Sequence, residues 1–188
     1  MQLVLKSGID IFRGECPIRF GADKKIGDGE SGTSVDALGG GVQADLTPSS
    51  VFLTGDNLPK LANFRPIGAG RGNMLGTRTF TPGYAAPEEI LDSEGVEPTP
   101  AVDVYRVGAV LYAMVTGRPP FSRGGDLIET IRDMLDQSPA PVRQWNPEVS
   151  ADLQAVCMEC LEKQPAYRYA KSGDLVDVLG NFYTPQLY

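Results

Sequence analysis

The sequence predicts an α+β fold dominated by helices. Three observations point to it. From Thr99 onward, apolar-periodic segments are bounded by helix-capping and helix-ending residues. The segment before them, Ala44 to Ile67, reads as a short apolar hairpin between two polar turns. Residues 1 to 43 hold only strand-like fragments, LVL, IDIF and PIRF, followed by glycine-rich stretches. At 188 residues the chain makes one domain, or one and a part, and can bury a real core. Hydrophobic content of 41% with 22% charged residues is that of a soluble globular protein.

The helices follow in order. Thr99 is expected at an N-cap with Pro100 at the first helical position, and Gly117 followed by Pro119 and Pro120 should end that segment. Between them, AVDVYRVGAVLYAMV is apolar nearly all round, which predicts a helix buried at the centre of the lobe. Asp126 and Glu129 form a capping pattern ahead of an amphipathic stripe, Leu127, Ile128, Ile131, Met134 and Leu135, that stops near Pro139. A third helix starts near Ser150. A fourth starts near Ser172 and should bury Leu175, Val178, Leu179 and Phe182. No internal repeat is visible.

Composition removes several functions. The chain has no histidine, so Ser-His-Asp and Cys-His nucleophile sets and histidine-containing zinc sites are excluded. Cys157 and Cys160 form a CxxC, but Leu153, Val156, Cys157, Cys160 and Leu161 share one helix face, which assigns the thiols to the core. Net charge is −7, from 17 Lys+Arg against 24 Asp+Glu, so a nucleic-acid surface is not indicated. The longest apolar run, Val107 to Val115, is too short to span a bilayer, and the first residues lack the apolar core of a signal peptide. A cytoplasmic location is the resulting expectation.

Five later stretches carry more specific information: ADLTPSS, KLANF, TPGYAAPEE, VDVYRVGAVLYAMVTGRPPF and CLEKQPAYRYAKSGDL. Their order and spacing resemble the C-terminal lobe of bacterial, eukaryotic-like (Hanks-type) serine/threonine protein kinases, over residues 45 to 188. The resemblance implies a protein-kinase-like α+β fold, with residues 45–188 as the helical lobe and 1–44 as an extension plus a remnant of the small β lobe. It also implies ATP and Mg²⁺ as cofactors and a protein as substrate or partner. Asp45 falls at the catalytic-loop aspartate, which orients the substrate hydroxyl and accepts its proton. Glu88, in Ala86-Pro87-Glu88, and Arg168 fall at the positions of a structural ion pair. Asp103 falls at the aspartate that braces the catalytic loop. Thr81 matches the threonine of the substrate-docking loop, and Thr77 and Thr79 in the activation segment are candidate phosphosites. Gly27, Gly29 and Gly32 resemble the phosphate-covering hairpin, although such a glycine pattern alone is weak.

The same resemblance exposes departures. Thr47 stands where the family has lysine and cannot place positive charge on a transferring phosphoryl group. Ser50 stands where the family has a metal-binding asparagine. Asn63-Phe64-Arg65 replaces Asp-Phe-Gly, exchanging the carboxylate that should hold Mg²⁺ for a neutral amide. Thr47, Ser50 and Asn63 are therefore degenerate positions. Only twelve residues separate Gly32 from Asp45, an interval that in the family contains the ATP-anchoring lysine, its glutamate-bearing helix, the rest of the small sheet and the hinge. Lys24 and Lys25 precede the glycines and do not occupy the anchoring position.

These departures favour a truncated, catalytically impaired, pseudokinase-like binding module. Two alternatives stay open: an active Ser/Thr kinase transferring the ATP γ-phosphate to protein hydroxyls, and a gene remnant without selected function. The missing segment would also leave an uncovered apolar face on the helix Ala101 to Val115, an expected site of self-association.

Overall fold

The computed structural model describes residues 42–43, 46–53, 59–61, 66–67, 81–91, 99–122 and 126–180. Among the described residues, four short strands come first: β1 (Val42–Gln43), β2 (Val51–Leu53), β3 (Pro59–Leu61) and β4 (Pro66–Ile67). They form two antiparallel pairs. β2 lies against β3 with Phe52 opposite Lys60, and β1 lies against β4 with Val42 opposite Ile67. The expected hairpin is therefore present, in two short ladders. Six helices follow among the described residues: α1 (Pro87–Leu91), α2 (Pro100–Thr116), α3 (Leu127–Asp136), α4 (Val142–Trp145), α5 (Ala151–Cys160) and α6 (Ser172–Gly180).

Helix α2 is the axis of the lobe, with α4, α5, α6, β1 and the 3-10 turn Pro48–Ser50 packed around it. Thr99 holds the N-cap position, but its side chain makes no capping bond; Pro100 needs no N–H partner, and Val102 N donates to Thr99 O. At the other end Gly117 takes φ +76°, the left-handed conformation that glycine reaches without a Cβ penalty, and its N–H donates to Ala113 O. Asp126 caps α3 by accepting from Ile128 N and Glu129 N at 2.9 and 3.0 Å. Ser150 caps α5 by accepting from Leu153 N at 3.1 Å.

The core joins Val102, Val104, Tyr105, Leu111 and Tyr112 of α2 to Val156, Cys157 and Cys160 of α5 and to Leu175 and Leu179 of α6. Both cysteines face inward as the helical spacing requires, and burial pushes Cys160 up to about 12 and Cys157 well above its ordinary value. Helices α2 and α5 come so close that a Cβ on Gly108 would sit 2.4 Å from Cys160 Cβ.

Two expectations need correction. From Ala101 to Val115 every apolar residue except the half-buried Val107 is buried, with Val110 and Met114 packed on Leu46, so this stretch of α2 has no uncovered apolar face to drive self-association. The α3 stripe also turns differently: Leu127 and Ile128 are 52% and 80% exposed, while Thr130 and Met134 are buried. The Asp126 cap fixes the helix phase, and the face that meets Ala85 and Phe121 is the one carrying Met134. Phe182 lies outside the described residues. Among the described residues no helix is long and apolar enough to cross a membrane.

Candidate functional site

Thr47 and Ser50, expected from the sequence as degenerate catalytic-loop positions, lie in the turn between β1 and β2. Pro48 opens a single 3-10 turn, closed by Ser50 N donating to Thr47 O at 3.0 Å. The turn packs on α2. Thr47 and Ser50 are both buried. Thr47 N donates to Ser50 Oγ at 3.4 Å, and Thr47 Oγ1 lies 2.8 Å from Ser49 Oγ and 3.3 Å from Ser50 Oγ. Three hydroxyls thus bond with one another inside the loop. Such a set carries no charge.

Mg²⁺ with nucleotide phosphates calls for carboxylate oxygens and a cation on the phosphoryl oxygens. The Thr47–Ser50 turn supplies neither, and among the described residues no group of three acidic or cysteine side chains could hold a metal ion. The described donor set does not fit that group. Asp45, Asn63, the glycines Gly27, Gly29 and Gly32, and the candidate phosphosites Thr77 and Thr79 lie outside the described residues.

The segment starting at Thr81, expected from the sequence as the substrate-docking loop, is firmly held. Tyr84 N donates to Thr81 O at 3.1 Å, making a tight turn, and Gly83 N donates to Met134 Sδ at 3.2 Å. Gly83 has φ +89°, and a Cβ there would sit 2.7 Å from Phe121 O. Glycine is required on both counts. Asp103 lies half-buried in the first turn of α2, the helix against which the Pro48–Ser50 turn packs.

Below this loop, two acidic residues of α1 each meet an arginine. Glu88 and Arg168 form a two-pronged ion pair, Nη1 to Oε1 and Nη2 to Oε2, both at 2.7 Å. The remaining Arg168 donors reach Glu162 O at 2.7 Å, Ala101 O at 2.9 Å and Lys163 O at 3.0 Å, which satisfies all five N–H groups of a buried guanidinium. The guanidinium also lies 4.9 Å from the centroid of the Tyr105 ring. Tyr105 is fully buried, its hydroxyl lacks a hydrogen-bond partner among the described residues, and burial holds it protonated far above the usual phenol range.

Beside it, Glu89 pairs with Arg106 of α2. Arg106 Nη2 donates to Oε1 at 2.6 Å, Nε donates to Oε2 at 3.0 Å, and Ala86 N donates to the same Oε2 at 2.9 Å. Arg106 is 2% exposed and Glu89 is 7% exposed. This pair ties α1 and Ala86 to the central helix, and sequence reasoning did not find it. The available signal was Arg106 itself: a charge inside a helix apolar on nearly every side needs a buried partner. Lys163 was also missed. Its ammonium donates to Met134 O, an unpaired carbonyl of the last turn of α3, and sits 4.1 Å from the centroid of the Phe121 ring. Burial, then the Arg168 charge, lowers it to about 8.

A helical lobe organised about a buried central helix, an Ala-Pro-Glu segment clamped by a distant arginine, and a glycine-pinned loop above it define the class of a protein-kinase large lobe. The family model described as protein kinase domain matches residues 40–176, and the chain belongs to that family. The glycine pattern at Gly27 to Gly32 falls outside the matched span. The chain is 36% identical over 148 residues to the serine/threonine-protein kinase PkaA of Streptomyces coelicolor, covering 75% of this chain and 25% of that kinase. It is 30% identical over 141 residues to the serine/threonine-protein kinase PknB of Mycobacterium tuberculosis, covering 71% of this chain and 22% of the relative. The matched region therefore spans about a quarter or less of the length of these bacterial relatives.

Proposed function

We propose that this chain is a serine/threonine-kinase-like domain that keeps the substrate-side architecture of the family and has lost efficient phosphoryl transfer, acting as a protein-binding module. The observation that carries this reading is the pair of buried hydroxyl residues Thr47 and Ser50, hydrogen-bonded to each other where the family places a lysine and a metal-binding asparagine. Phosphoryl transfer is catalysed almost wholly by positioning and by charge stabilisation, so a neutral turn there removes what the reaction needs. Asn63 in place of the metal-binding aspartate and the twelve-residue interval between Gly32 and Asp45 support the same reading. The ion pairs of Glu88 and Glu89 support retention of the lobe as a scaffold. The protein partner implied by the family would dock on that scaffold.

Calorimetric titration of the whole chain with ATP and Mg²⁺ tests this. The expected result is no saturable heat below about 1 mM, a free energy weaker than roughly −4 kcal/mol. Micromolar, magnesium-dependent binding would overturn the proposal.

A further inference from the structure

At the C-terminal end of α2, away from the Thr47–Ser50 turn, lies an open cavity of about 230 Å³ whose walls include Tyr112, Arg118, Pro119, Pro120, Ser122 and Trp145. Arg118 stacks on the indole of Trp145, its guanidinium carbon 4.0 Å from the ring centroid. Arg118 has no ion-pair partner among the described residues, and Ser122 is exposed. In a chain of net charge −7, an arginine set over an aromatic ring, with no ion-pair partner among the described residues, offers its donors to an anion.

The other polar groups of this wall are already engaged. Thr116 Oγ1 donates to Tyr112 O at 2.7 Å and Asn146 Nδ2 donates to Val115 O at 2.9 Å. Gly117 N donates to Ala113 O at 2.9 Å, and Tyr112 Oη donates to Ala140 O at 2.9 Å. These bonds matter because the free carbonyls of a helix C-terminus repel anions, and here two of the last four, Ala113 O and Val115 O, already accept from donors. Pro119 and Pro120 carry no N–H, so a ligand cannot be recognised there by backbone pairing.

We propose that this cavity anchors the anionic side chain of an extended segment of a protein partner. Arg118 and Ser122 would contact the carboxylate or phosphate oxygens, and Trp145, Tyr112 and the two prolines would contact the stem. The volume is smaller than the roughly 300–1,000 Å³ of small-molecule sites, and suits one side chain. The proposal rests on the binding-module reading for its meaning, but its test does not depend on phosphoryl transfer.

Trp145 is the only tryptophan, so its emission reports on this cavity directly. The whole chain is titrated, at constant ionic strength, with three capped tripeptides: Ala-Glu-Ala, Ala-phosphoserine-Ala and the uncharged Ala-Gln-Ala. The expected result is a saturable emission change with one or both anionic peptides and none with the glutamine peptide. The anionic peptide that saturates at lower concentration identifies whether carboxylate or phosphate is preferred. Arg118→Ala, a change at an exposed side chain, should weaken binding at least about tenfold, the scale of a charge-assisted hydrogen bond. Arg118→Lys, which keeps the charge but not the planar fork, should fall between. An equal response to the glutamine peptide, binding unchanged in Arg118→Ala, or no saturable response up to about 20 mM, where a millimolar site would be filled, would overturn the proposal. Phosphotransfer by the wild-type chain would sink the impaired-kinase reading and leave this outcome untouched.

Discussion

Arg168 and Glu88 at one corner of the lobe, and Thr47 and Ser50 at another, both stand at positions that the sequence resemblance assigns to charged or metal-binding groups. At the first corner the charges are present: a buried guanidinium satisfies five donors, and the neighbouring Glu89–Arg106 pair binds α1 to α2. At the second, a small neutral ring of hydroxyls fills the turn. The difference separates two uses of the same positions. Buried ion pairs are costly to break from one side, which holds the lobe's architecture in place, whereas removing one hydroxyl from an uncharged turn strands no buried charge.

The largest effects should therefore come from the ion pairs. Glu89→Ala leaves Arg106 buried without its carboxylate and should cost about 3–5 kcal/mol, with Arg168→Ala similar and Glu88→Ala less, because the Glu88 side chain is 26% exposed. In denaturant melts the double mutants Glu89→Ala with Arg106→Ala, and Glu88→Ala with Arg168→Ala, should each lose less than the sum of their single changes. Additive losses would show that the pairs do not act as units.

Next comes the contact between α2 and α5. Gly108→Ala drives a methyl into Cys160 and should cost about 1–3 kcal/mol despite the better helix propensity of alanine. An unchanged melting midpoint would mean that the two helices are not so closely packed.

A smaller effect is expected at Lys163. Its folded-state value of about 8 lies below the ordinary 10.5, so between the two the unfolded chain holds a proton that the folded chain has released. The destabilisation from Lys163 is thus complete below about 8 and is relieved as pH rises towards 10.5. Lys163→Met removes this titration. The stability of the wild type relative to the variant should rise with pH across that window, and a flat difference would contradict the argument.

The smallest change belongs to the hydroxyl turn. Ser50→Ala or Thr47→Val should shift stability by only about 0.5–1.5 kcal/mol, the net scale of single hydrogen bonds. A loss comparable to that of Glu89→Ala would erase the contrast between the two corners.

What could be read in the sequence was what local chemistry decides. Asp126 and Ser150 announce their helices because an N-cap side chain bonds within its own turn. Gly117 announces the end of α2 because its left-handed backbone favours glycine. The orientation of Leu127 and Ile128 was not legible, since their exposure depends on where α3 meets Ala85 and Phe121. The four-residue α4 is too short to show a period. Glu89 and Arg106 are 17 residues apart and are joined only by the packing of α1 on α2. At the candidate site, motif spacing was enough to single out Thr47 and Ser50, but not to show that their hydroxyls turn to each other.

The central claim is that this lobe keeps the family's scaffold without its phosphoryl-transfer chemistry. The most direct measurement is transfer of labelled phosphate from ATP to a protein substrate, comparing the wild type, Asp45→Asn and the triple reversion Thr47→Lys, Ser50→Asn, Asn63→Asp. The account predicts that all three remain at background, because restored ligands have no anchored nucleotide to act on. Robust phosphorylation by the wild type or by the triple reversion, abolished when Asp45→Asn is added, would contradict it.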